Sequence, residues 1–165
     1  MSLMQWSDKL VLGNERMDET HREFVEQLNA LAEASDADFP ARLDAFIAHT
    51  EAHFGQEDQW MSEIYFPPAH CHQNEHEGVL KIAREVRERV AAGDVPIGRV
   101  LARELAPWFE NHATTMDAVL AYVLKVGPSA FVQPPSGDAA PASHEGCGCG
   151  PAAAEEQNAS STAAL

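Results

Sequence analysis

Four stretches of the chain carry large apolar residues at three- and four-residue intervals, separated by short links rich in Pro or Gly. That rhythm is the period of an amphipathic helix. Strand alternation and hairpin turns are absent, so the sequence predicts an all-α fold. The first stretch, roughly 19–34, places Phe24, Leu28 and Leu31 on one side. The second opens near Pro40, a favoured first-turn residue, and carries Leu43, Phe46, Ile47 and Phe54 toward Ile64. It must stop before Phe66-Pro67-Pro68. Residues 69–92 form the third, with Val79, Leu80, Ile82, Ala83 and Val86, and Gly93 closes it. The fourth begins near Pro96 and continues through Val100, Leu101, Leu105, Phe109, Val119, Leu120 and Val123. Pro107 falls inside it and is expected to kink or split the helix just before His112. Four helices on short links favour an antiparallel up-down-up-down four-helix bundle over residues 1–126. Residues 1–18 read as an irregular arm whose Trp6, Leu10 and Leu12 lie against the bundle or cover a site.

Near Gly127 the composition changes to Pro, Gly, Ala and Ser, with almost no large apolar residues. Such a stretch cannot bury enough surface to offset its ordering entropy, so 127–165 reads as a disordered tail. The tail has four acids and no Lys or Arg, and holds a GCGCG motif with Cys147 and Cys149 near His144. Two thiols and a histidine suit capture of a soft metal or a disulfide with a protein partner, or they are incidental.

The whole chain is acidic, with 26 Asp plus Glu against 11 Lys plus Arg and a net charge of −15. That balance, without a basic patch, argues against nucleic acid and against anionic membranes as partners. The start lacks the character of a secretory signal, no stretch approaches the length of a membrane span, and three cysteines make a disulfide framework improbable. A cytoplasmic location is the expectation.

The histidines carry the chemistry. An α-helix turns about 100° per residue, so positions four apart share a face. In HCHQNEH the pair on one face is His72 and His76, while His70 and Cys71 point elsewhere. HFGQE pairs His53 with Glu57 in the same way, MDETH supplies His21, and NHATTMD supplies His112 and Asp117. The last two are five apart and about 140° out of phase on a regular helix, so Asp117 needs reach or local distortion to join a site. Each helix thus offers a ligand to the bundle centre, where facing helices build metal sites. Five imidazoles and two carboxylates exceed the needs of one ion. Two ions bridged by both carboxylates and a solvent oxygen would use them well, one with three histidines and the other with two and an open position. Imidazole-rich sites with bridging carboxylates suit iron, with zinc, manganese and cobalt also compatible. A ferritin-like oxidase fits less well, because its Glu-x-x-His spacing is missing at these ligands.

MDETH, HFGQEDQWM, HQNEH and WFENHATTMD, in this order and spacing, resemble the single-domain bacterial members of the hemerythrin family over roughly residues 3–125. The resemblance implies an oxo- or hydroxo-bridged pair of irons and reversible O2 binding. One iron would be held by His72, His76 and His112, the other by His21 and His53, with Glu57 and Asp117 bridging. It also implies an O2 pocket at Phe24, Phe54, Trp108, Phe109 and Ala113, residues that equally suit an ordinary core. Ala113 is smaller than the bulky aliphatic residue common after the histidine, which would open the pocket to solvent, peroxide or nitric oxide. A small redox enzyme acting on those molecules, or an iron-handling and repair protein, is the alternative. Asp18, His49 and Glu75 are candidate supports of the ligand imidazoles, with surface residues the plainer reading. Asp58 is read as a surface charge.

Overall fold

The computed structural model describes residues 2–127. The tail, including Cys147 and Cys149, lies outside the described residues apart from Gly127. Among the described residues there is no strand. Helix α1 spans Glu15–Glu33, α2 Phe39–Glu63, α3 Ala69–Ala91 and α4 Val95–His112. A π-helical turn, Ala113–Asp117, then leads into α5, Ala118–Val126.

Local chemistry sets the boundaries. Asn14 caps α1 by accepting a hydrogen bond from the Met17 backbone N–H, and Glu15 and Asp18 suit its positive end. That cap starts the helix four residues earlier than the periodicity suggests, so the arm ends at Asn14 and not at residue 18. Asp94 caps α4 by accepting from Ile97 N–H, and Pro96 occupies its first turn. Gly93 at φ 100° ends the α3 side of that link in a conformation most residues avoid.

The helix is not split at Pro107. The α-helix runs through it to His112, and the irregularity falls afterwards, at the π turn. Pro107 and Arg103 both sit on the exposed side, where water can satisfy the carbonyl that proline leaves without a donor.

Successive helices pack on one another and α1 closes against α4, giving a four-helix bundle. Its apolar core falls into two buried clusters: Phe24, Leu28, Leu31, Phe39, Leu43, Phe46, Val90, Leu101, Leu105 and Phe109 belong to the larger, and Met17, Met61, Phe66, Leu120, Ala121 and Val123 form the smaller. Gly98 lets α4 approach α2, since a Cβ there would lie 2.3 Å from the Phe39 ring. The arm docks through named contacts. Asn29 bonds the backbone at Leu3 and Met4, Arg22 covers the Trp6 ring at 4.9 Å, and Leu10 is buried in the core. None of the described helices is long and apolar enough to cross a membrane.

Candidate metal centre

Among the described residues, eight that are polar or charged interrupt this apolar interior, and seven of them converge: His21, His53, Glu57, His72, His76, His112 and Asp117, each at most 3% exposed. Helical phase explains most of this. His53 and Glu57 lie one turn apart on α2, as do His72 and His76 on α3, and His21 enters from α1.

His112 and Asp117 are brought together by the π turn. Its i→i+5 pattern takes one more residue per turn than an α-helix, so residues five apart come close to the same face. Asp117 Oδ1 then lies 3.2 Å from His112 Nε2. Thr114 and Thr115 bond back to the carbonyls of Glu110 and Asn111, taking up acceptors where the helix widens.

The donor atoms sort into two groups that share Glu57: one with His72, His76, His112 and Asp117, the other with His21 and His53. Glu57 turns Oε1 to His21 and His53, at 3.4 and 3.1 Å, and Oε2 to His72 and His76, at 3.5 and 3.3 Å. Asp117 divides likewise, Oδ2 lying 3.3 Å from His21 and Oδ1 3.0 Å from His72. Each carboxylate therefore offers one oxygen to each group.

These spacings fit metal ions. Two donors about 2.1 Å from one ion and at right angles sit about 3.0 Å apart. His112 Nε2 is 3.0 Å from His72 Nε2 and 3.1 Å from His76 Nε2. Both Asp117 oxygens and Glu57 Oε2 are buried within ion-pair distance of imidazoles without forming aligned hydrogen bonds. Lone pairs that converge without pairing suit a shared cation better than a protonic network.

The electrostatics agree. Burial works against ionising Glu57, but His53, His21 and His72 more than offset it and hold the carboxyl well below its usual range. Asp117 is opposed by burial and by Glu57, yet His112, His21 and His72 hold it low too. Burial likewise disfavours charged His21 and His72, and Asp117 with Glu57 overcomes it, raising each to about 9. His76 is pushed down, mainly by burial. Two buried anions thus demand positive charge, which protons or metal ions can supply.

The five expected pocket residues divide between the groups. Phe109 meets His21 edge-on at 5.2 Å, and Phe24 stacks on Phe109 at 4.1 Å. Phe54 stacks on His76 at 3.9 Å while also lying 5.2 Å from His53. Trp108 stacks on His112 at 4.6 Å, and Ala113 is fully buried beside it.

The expected supports fare differently. Asp18 accepts from the backbone N–H groups of Leu12 and Gly13 and so ties down the arm, not a ligand. Glu75 accepts from Trp108 Nε1–H at 3.3 Å and reaches the centre only through that ring. His49 lies 3.7 Å from Glu23, its ring 6.2 Å from that of His53, and burial lowers its pKa. Asp58, read as a surface charge, instead lies 3.2 Å from His76 Nδ1. Its signal in the sequence was its place beside Glu57 on a turn that faces α3. Outside the centre, His70 is exposed and contacts Asn74.

Residues 12–124 match the Hemerythrin HHE cation binding domain family. A protein named bacteriohemerythrin from Ralstonia nicotianae is 50% identical over 131 residues, covering 79% of this chain and 96% of that protein. The bacteriohemerythrin of Stenotrophomonas maltophilia is 31% identical over 137 residues, covering 81% and 89%. That of Aquifex aeolicus is 29% identical over 119 residues, covering 68% and 91%.

Proposed function

The chain belongs to the hemerythrin family, and from that premise we propose that its centre holds two iron ions and binds O2 reversibly, for storage, delivery or sensing. The observation that carries this reading is the divided carboxylates, Glu57 and Asp117 each turning one oxygen to each donor group. One bridged pair explains why seven ligands converge where one ion needs at most six.

Bound iron supplies the redox chemistry by which O2 is taken up and given back. The chain does the rest. His72, His76 and His112 give one group three imidazoles, while His21 and His53 give the other two. The two-histidine group is one donor short, so a small ligand belongs there. Phe24 and Phe109, both fully buried, line that side and exclude water. Their burial would keep water and its protons away from a small ligand held on that side.

Optical spectroscopy of the reduced, iron-loaded protein tests the proposal. Mixing with O2 should give a stable visible charge-transfer band that disappears under vacuum, with two irons per chain. One iron per chain, or none, would remove the di-iron assignment. Irreversible oxidation with turnover of peroxide or nitric oxide would favour the second reading, a small redox enzyme. That reading draws on Ala113, a single buried methyl directly after His112. A cytoplasmic location and a thiol or metal partner at Cys147 and Cys149 complete the proposal.

A further inference from the structure

The imidazoles of the centre differ in what holds the ring nitrogen that faces away from it. The Nδ1 atoms of His21, His53 and His72 are buried with no hydrogen-bond partner among the described residues. His76 is different. Its Nε2 lies 3.3 Å from Glu57 and 3.1 Å from His112, while its Nδ1 lies 3.2 Å from Asp58 Oδ1. Phe54 also stacks on the ring at 3.9 Å and 3°, fixing its plane. A ring held flat by one neighbour and pinned at Nδ1 by another keeps one direction for its Nε2 lone pair, toward the centre.

Asp58 follows Glu57 on α2, so one helical turn supplies both a donor to the centre and support for a donor on α3. Its side chain is 38% exposed and lines a cleft of about 680 Å³ with Glu51, Glu77, His70, Asn74 and Arg84. Glu51 is engaged by Arg84 at 2.7 Å, and His70 by Asn74 at 3.3 Å.

The geometry points to Asp58 as a positioning residue for metal binding at the three-histidine group. Its carboxylate accepts a hydrogen bond from His76 Nδ1–H, which fixes the tautomer that leaves the Nε2 lone pair free for the metal. The negative charge makes that imidazole a stronger donor than an unsupported one. The inference rests on the centre holding metal, and on neither the identity of the ion nor O2 binding.

Zinc-loaded full-length protein provides the test, read by zinc affinity against a chelator and by NMR of the ring N–H protons. Asp58→Ala should weaken retention of one zinc by about 10–100-fold. Asp58→Asn keeps the shape and an accepting oxygen but loses the charge, so its loss should be smaller. It also separates support of the ligand from any folding defect in the alanine variant. Glu77→Gln removes a charge from the same cleft without touching a ligand and should leave retention unchanged. In the parent one ring N–H should resonate far downfield and exchange slowly, and Asp58→Ala should abolish that signal. Zinc retention within about twofold of the parent in Asp58→Ala would overturn the proposal. So would an equal loss in Glu77→Gln, which would mean that only the cleft's net charge matters. Zinc takes up no O2, so failure of the O2 reading would leave this result standing.

Discussion

The three-histidine and two-histidine groups share Glu57 and Asp117 but not their surroundings. Around His76 and His112 the neighbours include polar, solvent-reaching side chains: Asp58 on the first ring, and Trp108, itself bonded to Glu75, on the second. Around His21 the packed neighbour is Phe109, backed by Phe24. One group is braced by hydrogen bonds toward solvent; in the other, His21 is packed against hydrocarbon, while His53 has the half-buried His49 at 6.2 Å on its outer side. A single bundle therefore sets its two donor groups in unlike surroundings although the shared carboxylates treat both alike. The difference suits a division of labour in which one side anchors and the other reacts.

The largest expected effect removes what the groups have in common. Glu57 contributes an oxygen to both, so Glu57→Ala should empty both, dropping bound metal from two ions to none at micromolar concentrations. His76→Ala should empty only the three-histidine group. Metal analysis after gel filtration decides it, and equal losses in the two variants would mean that the groups are not separable.

Next comes the hydrocarbon seal. Phe109 is fully buried, whereas Trp108 is only partly so. Phe109→Ala should cost about 3–5 kcal/mol of stability, and Trp108→Ala clearly less. Urea titration of the metal-free proteins measures both. Comparable costs would erase the contrast between sealed and solvent-reaching sides.

A third prediction uses protons that both groups hold. In the metal-free protein His21 and His72 stand at about 9, above the unfolded value of 6.5. A pKa raised by folding adds stability that is fully present below 6.5 and is lost as pH rises through 9. Glu57 and Asp117 are depressed, so their contribution is present above about pH 4.5 and lost on acidification. The melting temperature of the metal-free protein should accordingly fall between pH 6.5 and 9. Metal should displace about two protons per chain near pH 7.5, one from each group. A weakly buffered titration counts them. Release of none would show that the imidazoles are neutral before loading.

How much of this was legible in the sequence follows from helix geometry. His53 with Glu57 and His72 with His76 are one turn apart, and a 3.6-residue period suffices to put each pair on one face. His112 and Asp117 stood outside that reasoning because a π turn has no signature in hydrophobic spacing; only the family resemblance made their spacing expected. Pro107 misled for the opposite reason, since a rule about helix interiors weakens on an exposed face. Asp58 was hidden because exposure and support of a ligand are compatible: its side chain reaches both the cleft and His76 Nδ1. The bundle itself was plain from the four apolar stripes, and the early start of α1 turned on one capping side chain, Asn14.

The smallest expected effect tests the side of the π turn where the two environments meet. Ala113 is fully buried directly after His112, and Leu10 of the arm belongs to the same apolar cluster. If the small side chain at 113 admits water toward the proposed iron pair, Ala113→Ile should lengthen the lifetime of the proposed O2 complex by a few-fold. Added methylenes in a packed core cost about 1–3 kcal/mol, so the variant should also melt somewhat earlier. Longer lifetime together with lower stability is informative, because a merely damaged site would shorten both. The decay of the visible band in air measures the first, and thermal unfolding the second. A lifetime unchanged or shortened would place the limiting water path elsewhere than beside His112.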